Sequence, residues 1–351
     1  MRENNDIYFK LFANCIPVKG ASRSLLCDVQ RNRSNFIPND LYTILEDFPS
    51  KSISEIEAIY GEENKEVLND YFEFLLNEEY GFFCSAEELQ LFPKLNLEWA
   101  HPSIITNAII DVGNVTHDFQ KIFSQLEDLN CQDIQIRFFR QASVDEIGAI
   151  LSLLRLSTIK SVELFVQYNE LLTDKEILGI VDHNLRLCNV IFHSAPFKRN
   201  FLSNNKTPVY FVKDIISSAA HCGFISQKYF TMNINSFTEA QKNNSCLNKK
   251  IAIDENGEIK NCPSMELSYG NIASDTLDSV ISENNTFKNY WSIHKDQILV
   301  CKDCEFRYIC TDCRAYIENP DDLLSKPLKC GYDPYTNEWD QLTDRPLIHA
   351  I

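Results

Sequence analysis

Cys301-Lys302-Asp303-Cys304-Glu305-Phe306-Arg307-Tyr308-Ile309-Cys310-Thr311-Asp312-Cys313 is the densest run of thiols in the 351-residue chain, with Cys330 seventeen positions further on and Cys246 and Cys262 preceding it. Two thiolates separated by two residues can face one metal centre, and several such thiolates form a soft-ligand set suited to iron–sulfur or zinc. A zinc site needs four of them, for example Cys301, Cys304, Cys310 and Cys313, which leaves Cys246, Cys262 and Cys330 without a role. Seven can instead be shared between two clusters, with sequence neighbours serving different clusters as in two-cluster ferredoxins. A disulfide framework fits poorly. The total of 13 cysteines is odd, no export signal is legible, and the remaining composition is that of a large globular protein.

Composition narrows the function classes. The length allows two or three domains, and no apolar run approaches the eighteen residues of a membrane span. Reduced thiols without an export signal point to the cytoplasm. A net charge of −17 argues against a nucleic-acid partner, because phosphate binding requires positive charge, and it is compatible with a cationic peptide.

In chain order, residues 7–16 and 24–30 read as strands around the turn at residues 17–21. Leu41, Ile44, Leu45 and Phe48 recur at helical spacing. Ser54 with Glu57 suggests a capping box for a helix through Tyr60, and Val67, Leu68, Tyr71, Phe72, Leu75 and Leu76 mark a third helix. Phe82-Phe83 suggests a further strand. From residue 104 the pattern becomes short β-branched runs (104–112, 134–139, 162–166, 189–192, 209–212 and 229–234) alternating with helical stretches (119–129, 144–154, 174–183 and 214–222). Such alternation predicts parallel βα units in an α/β partial barrel, with ligands at the carboxyl ends of the strands. Residues 251–253 and 258–260 read as a hairpin through Glu255-Asn256-Gly257. Cys15, Cys27, Cys84, Cys131, Cys188 and Cys222 sit in apolar surroundings and read as core fillers. His183, His193 and His221 lack paired metal-ligand spacing; His117 is of slightly more interest because it follows the first barrel strand.

Cys246, Gly257 four residues before Cys262, the dense run and the closing Cys330 resemble the SPASM domain, the iron–sulfur module of radical S-adenosylmethionine peptide-maturing enzymes. The resemblance implies one [4Fe-4S] cluster on Cys301, Cys304, Cys310 and Cys330, and a nearer one on Cys246, Cys262 and Cys313. Two departures stand out. The gap before Cys313 is two residues rather than three, and no eighth cysteine lies close to Cys262, which leaves the nearer cluster with an open iron, a non-cysteine ligand, or absent. The barrel is similar in architecture to the radical-SAM catalytic domain. That family places C-x3-C-x2-C after the first strand and a glycine-glycine-acid segment after the second; here those places hold residues 113–117 without cysteine and Arg140-Gln141-Ala142-Ser143. The resemblance therefore implies that S-adenosylmethionine is not cleaved. A small hairpin followed by three helices resembles the winged-helix-like domain that binds leader peptides in such enzymes, through strand addition beside the third helix.

The whole chain thus resembles the SPASM-containing maturase of systems that pair it with an ATP-grasp ligase and a short precursor peptide. The expected domains are 1–95, leader-peptide recognition; 96–240, partial barrel; and 241–351, SPASM. The expected function is an iron–sulfur protein that matures a ribosomal peptide or assists the ligase in doing so. Two alternatives remain open: a redox enzyme using the clusters as an electron relay, and a structural zinc-bearing interaction protein.

Overall fold

A computed structural model describes residues 6–340; residues 1–5 and 341–351, at the ends of the first and last expected domains, lie outside it. The N-terminal part comprises β1 (Tyr8–Leu11), β2 (Cys15–Val18), β3 (Ser24–Asp28), β4 (Arg33–Ile37), α1 (Asn39–Asp47), α2 (Ile53–Tyr60), α3 (Lys65–Asn77), β5 (Gly81–Cys84) and the short α4 (Ala86–Leu89). The expected hairpin is more divided than its sequence suggested. A turn at Phe12–Cys15 splits the first strand. β1 then pairs with β5, while β2, β3 and β4 form a separate antiparallel sheet. The capping box of α2 is Ser52 with Glu55, not Ser54 with Glu57, because Ser52 carries the extended backbone of a cap.

The expected peptide-facing stripe on α3 is mostly core. Leu68, Phe72 and Leu75 are buried with Leu26, Leu41, Ile44 and Ile56, and only the flanking Val67 and Leu76 are exposed. The opposite face of the three-stranded sheet is not free either. Val18, Leu25, Cys27 and Val29 share one hydrophobic cluster with Phe237, Phe306, Ile309 and Tyr332 of the cysteine-rich part. Arg23 Nε donates to Glu305 Oε1 at 2.9 Å across that junction, and Ala21 N donates to Asp303 O at 2.8 Å.

The centre is a mixed α/β unit built on an eight-stranded, mostly parallel sheet. Its elements are β6 (Asn107–Val112), α5 (Phe119–Asp128), β7 (Asp133–Gln141), α6 (Val144–Ser152), β8 (Ser161–Gln167), α7 (Asp174–His183), β9 (Leu187–His193), β10 (Arg199–Leu202) and β11 (Pro208–Phe211). After α8 (Ile234–Glu239) come β12 (Lys250–Ile253), β13 (Ile259–Lys260) and α9 (Leu277–Glu283). The short pair β14 (Tyr332–Asp333) and β15 (Glu338–Trp339) closes the described chain. The sheet order is β10-β11-β9-β8-β7-β6-β12-β13. The expected hairpin at residues 251–260 forms, with Gly257 at φ +84°, but it also extends the central sheet, since β12 pairs in parallel with β6.

Strand alternation decides which side chains meet. Ala108, Ile110, Val112, Ile134, Ile136, Phe138, Val162, Leu164 and Val166 form the core with the apolar stripes of α5, α6 and α7. The residues between them point to the other face, where Asp111, Arg137, Gln135, Glu163, Asn189 and His193 gather. Two expected elements are absent. Residues 214–222 contain a single 3-10 turn, Ala219–His221, instead of a helix, and their two isoleucines diverge, Ile215 exposed and Ile216 buried. Residues 229–234 are not a strand: Ser226 caps the turn Gln227–Tyr229, and Asn233 caps α8.

On that other face of the sheet, Arg137 Nε and Nη2 bind Asp111 at 2.6 and 2.8 Å, both residues being buried. Removing one charge from such a pair strands the other, which typically costs about 3–5 kcal/mol. Asp111→Asn is therefore expected to lower the denaturation midpoint strongly in chemical unfolding, whereas Arg140→Lys at the half-exposed Arg140–Glu146 pair should change stability by under about 1 kcal/mol.

Candidate metal centre

Eight of the thirteen cysteines lie in two groups. In the first, Cys301 opens a 3-10 turn (Cys301–Asp303) and Cys304 closes it, with Cys304 N donating to Cys301 O at 3.0 Å. Phe306 N donates to Cys304 Sγ at 3.4 Å. Cys310 is delivered by the tight turn in which its N–H meets Phe306 O, and Cys330 arrives on the tail that bridges to Ile225. Between these thiols lies Lys295, 3% exposed, whose Nζ stands 3.3 Å from Cys310 Sγ and 3.4 Å from Thr311 O. Burial by itself would lower its pKa, but the charges of Cys310, Cys301, Asp312 and Cys330 outweigh burial and raise it. Burial pushes the Cys310 thiol up to about 12 and raises Cys301 and Cys304 as well.

The second group contains a residue that the sequence reading assigned to the core. Cys222 lines the same cavity as Cys246, Cys262 and Cys313. Cys262 and Cys313 both feel the charges of Cys222 and Cys246, and burial moves each to about 12. The loop that brings Cys222 here is tied down at several points. Lys329 Nζ donates to Ala220 O and Cys222 O at 2.7 and 2.6 Å, and Ser264 Oγ donates to Ala219 O at 2.8 Å. Gly223 follows at φ +87°, where a Cβ would stand 2.7 Å from Cys313 Sγ. A second ammonium, on the partly buried Lys250, lies 3.6 Å from Cys246 Sγ. Burial would lower it, and Cys246, Cys262 and Cys222 together raise it.

Gly223→Ala is therefore expected to disturb the second group specifically: the positive φ costs about 1 kcal/mol, and the methyl collides with a thiol. Thiol labelling should show faster reaction of the second-group cysteines, with secondary structure by circular dichroism unchanged.

The two-residue gap between Cys310 and Cys313 has a structural use. Asp312 is fully buried there, accepting from Asn244 Nδ2 at 2.7 Å and from Arg314 Nε at 3.0 Å, while its own N–H donates to Ser245 Oγ at 3.0 Å. This pins the run against the segment carrying Cys246. Sequence reasoning missed Cys222 because it looked for an eighth thiol near Cys262, and 40 residues separate the two.

The second group adjoins a cavity of about 460 Å³. The cavity reaches the amino ends of β6, β7 and β8, through Asn107, Asp133 and Ser161, rather than the carboxyl ends expected for a ligand. At the carboxyl end of β6, residues 113–116 carry no thiol, Arg140 Nε donates to Gly113 O at 2.7 Å, and a Cβ on Gly113 would meet Glu255 Oε2 at 2.6 Å. His117 is buried there with Nε2 2.8 Å from Asp111 O.

The remaining cysteines are scattered. Cys15, Cys27, Cys84 and Cys131 are buried as expected, but Cys188 is exposed on the cavity side of β9, where Ser161 Oγ meets its Sγ at 3.2 Å. His193 is buried against Phe138 O at 2.9 Å, and His183 Nδ1 lies 2.7 Å from Gly179 O. Among the described residues, no three His, Cys, Asp or Glu side chains converge at the spacing of a single metal ion. No helix among them is long and apolar enough to cross a membrane.

No protein-family model and no curated protein matches the chain. Among solved structures, Streptococcus suis SuiB bound to S-adenosylmethionine is similar at 9% identity and a TM-score of 0.37, over 88% of this chain and 96% of that one. SuiB bound to precursor peptide SuiA is similar at 11% identity and a TM-score of 0.38, over 89% and 95%. Likeness at that level carries no argument about the site or its activity.

Proposed function

We propose that the chain is an iron–sulfur protein of the SPASM kind that holds two [4Fe-4S] clusters and takes part in maturing a ribosomally made peptide, alone or beside an ATP-grasp ligase, without cleaving S-adenosylmethionine. The far cluster would use Cys301, Cys304, Cys310 and Cys330. The near one would use Cys246, Cys262, Cys313 and Cys222. The observation that carries this reading is the division of eight thiols into two groups of four, each facing a lysine ammonium, Lys295 or Lys250.

The donor sets are all thiolate, which suits iron–sulfur clusters. Zinc would take four sulfurs at about 2.3 Å from one point. In a cuboidal cluster each sulfur binds its own iron, so the sulfurs stand further apart. Four thiolates around such a cluster leave a net negative charge, which Lys295 and Lys250 would offset in surroundings where an unpaired charge is costly. Bound clusters would supply one-electron transfer. With Cys222 as a fourth ligand the near cluster would have no open iron, which favours electron relay over direct substrate binding.

Peptide recognition is assigned to the N-terminal, winged-helix-like part. Since the α3 stripe is core, the better candidate is a groove of about 280 Å³ between β1, β2, α1, the segment containing Leu95 and Leu97, and Tyr308 of the cysteine-rich part. Its lining mixes apolar side chains such as Phe9, Leu11, Ile16 and Phe72 with Lys10, Lys51 and Lys94. An extended leader would bind there with roughly micromolar affinity, because ordering a flexible peptide offsets part of its contact energy.

Anaerobic purification followed by iron, sulfide and zinc analysis tests the cluster assignment, and zinc without sulfide would refute it. Incubating the reduced protein with S-adenosylmethionine should yield no 5′-deoxyadenosine. Titrating the full chain with the leader of a neighbouring precursor and with a shuffled peptide of equal charge tests recognition; equal binding would reduce it to nonspecific electrostatics.

A further inference from the structure

Three strands place three polar side chains in one row on the sheet face opposite the α5–α7 core. Gln135 of β7 is opposite Glu163 of β8, and Glu163 is opposite Asn189 of β9. Gln135 Nε2 donates to Glu163 Oε2, and Asn189 Nδ2 donates to Glu163 Oε1 at 2.8 Å. Both amides thus spend an N–H on the carboxylate, and the two amide oxygens, Gln135 Oε1 and Asn189 Oδ1, are buried with no hydrogen-bond partner. Asn189 is only 3% exposed. Turning either amide over would aim its oxygen at the carboxylate, so flipping does not repair the deficit.

The nearby cations are committed elsewhere. Arg137 pairs with Asp111, and Lys250 faces Cys246. The row therefore has an excess of acceptors and a carboxylate with no basic side chain in an ion pair among the described residues. Unpaired buried acceptors are costly, typically about 1–3 kcal/mol each, and a group bringing several N–H donors and a positive charge would satisfy them together. Gln135 and Glu163 line the 460 Å³ cavity that Cys222, Cys246 and Cys262 also line, and Asp133 adds a carboxylate at its rim.

We infer that this row is a binding site for an alkylammonium or alkylguanidinium group, with the side chain of a lysine or arginine in a bound peptide as its natural occupant. The inference deepens the peptide-maturation reading by naming the side chain brought beside the near thiols, and it rests on that reading only for the source of the cation. The net charge of −17 favours such a ligand at long range.

The test uses the full chain, prepared anaerobically, with calorimetric titration of agmatine and of acetyl-Gly-Lys-Gly-amide and acetyl-Gly-Arg-Gly-amide, each against a neutral counterpart of similar length. Cationic ligands should bind at least roughly tenfold more tightly than neutral ones, and Glu163→Gln should abolish that preference. A preference shown by the tripeptides supports a peptide side chain; one shown by agmatine alone still supports the site and assigns it to a free amine. Equal binding of cationic and neutral ligands to the unmutated protein overturns the inference without reference to any variant's folding. So does an undiminished preference in a folded Glu163→Gln protein. Iron and sulfide content, measured on the same samples, separates failure of this site from failure of the cluster assignment.

Discussion

Cys222→Ala should cost the protein one of the two proposed clusters. Iron in the anaerobically prepared protein is expected to fall from about eight to about four atoms per chain, with sulfide falling in parallel. The near group would be left with Cys246, Cys262 and Cys313, and a cluster held by three thiolates exposes an iron that oxidation removes. Because metal binding supplies folding energy, the variant should also unfold at lower denaturant. The comparison that isolates the ligand role is Cys188→Ala, which removes a thiol from the wall of the same cavity but from a strand of the central sheet, and should leave the iron content unchanged. Iron and sulfide equal to the unmutated protein in Cys222→Ala would remove Cys222 from the ligand set and leave the near site with three cysteines.

Lys295→Met should shift the far cluster's reduction potential to a more negative value. Its Nζ lies 3.3 Å from Cys310 Sγ in a buried setting. A unit charge a few ångströms from the cluster, at an effective dielectric of about 20, is worth about 3 kcal/mol, on the order of 100 mV for a one-electron couple. The sign follows from the charges: reduction adds an electron to an already anionic centre, the ammonium stabilises that state more than the oxidised one, and its removal makes reduction harder. Methionine keeps the length and apolar stem of the side chain, so packing is largely preserved. Potentiometric titration followed by electron paramagnetic resonance would read the shift. An unchanged or more positive potential would deny the lysine this role. Lys250→Met is the matching test at the near group.

Much of the fold was legible from local pattern. The β-branched runs at residues 104–112, 134–139, 162–166, 189–192 and 209–212 became β6, β7, β8, β9 and β11, and three of the four expected helices stand between them. Alternation along a strand is a local property, and strong apolar runs bounded by caps such as Thr173 with Glu176 leave few alternatives. The expectation failed at residues 214–222 and 229–234, where apolar residues serve packing instead of a regular element: Ile216 is buried against Phe165 and Ile191 of the central sheet, and Phe230 packs at a tilt against Phe306 of the cysteine-rich part with ring centroids 5.1 Å apart.

The thiol-rich run also suggested a soft-metal centre by its spacing, but spacing did not decide which thiols group together: Cys301 and Cys304 fall in one group, whereas the equally spaced Cys310 and Cys313 fall in different ones. What the sequence could not determine was membership across long separations. Cys222 joins Cys313 only because Lys329 and Ser264 anchor its loop. Lys250 and Lys295 become partners of thiols only when β12 docks on β6 and the chain before Cys301 folds back. The row Gln135–Glu163–Asn189 exists only through the register of three parallel strands. Spacing constrains neighbours along the chain, whereas burial, register and the placement of a few cations depend on contacts between residues far apart in it, and those are decided only when the whole core packs.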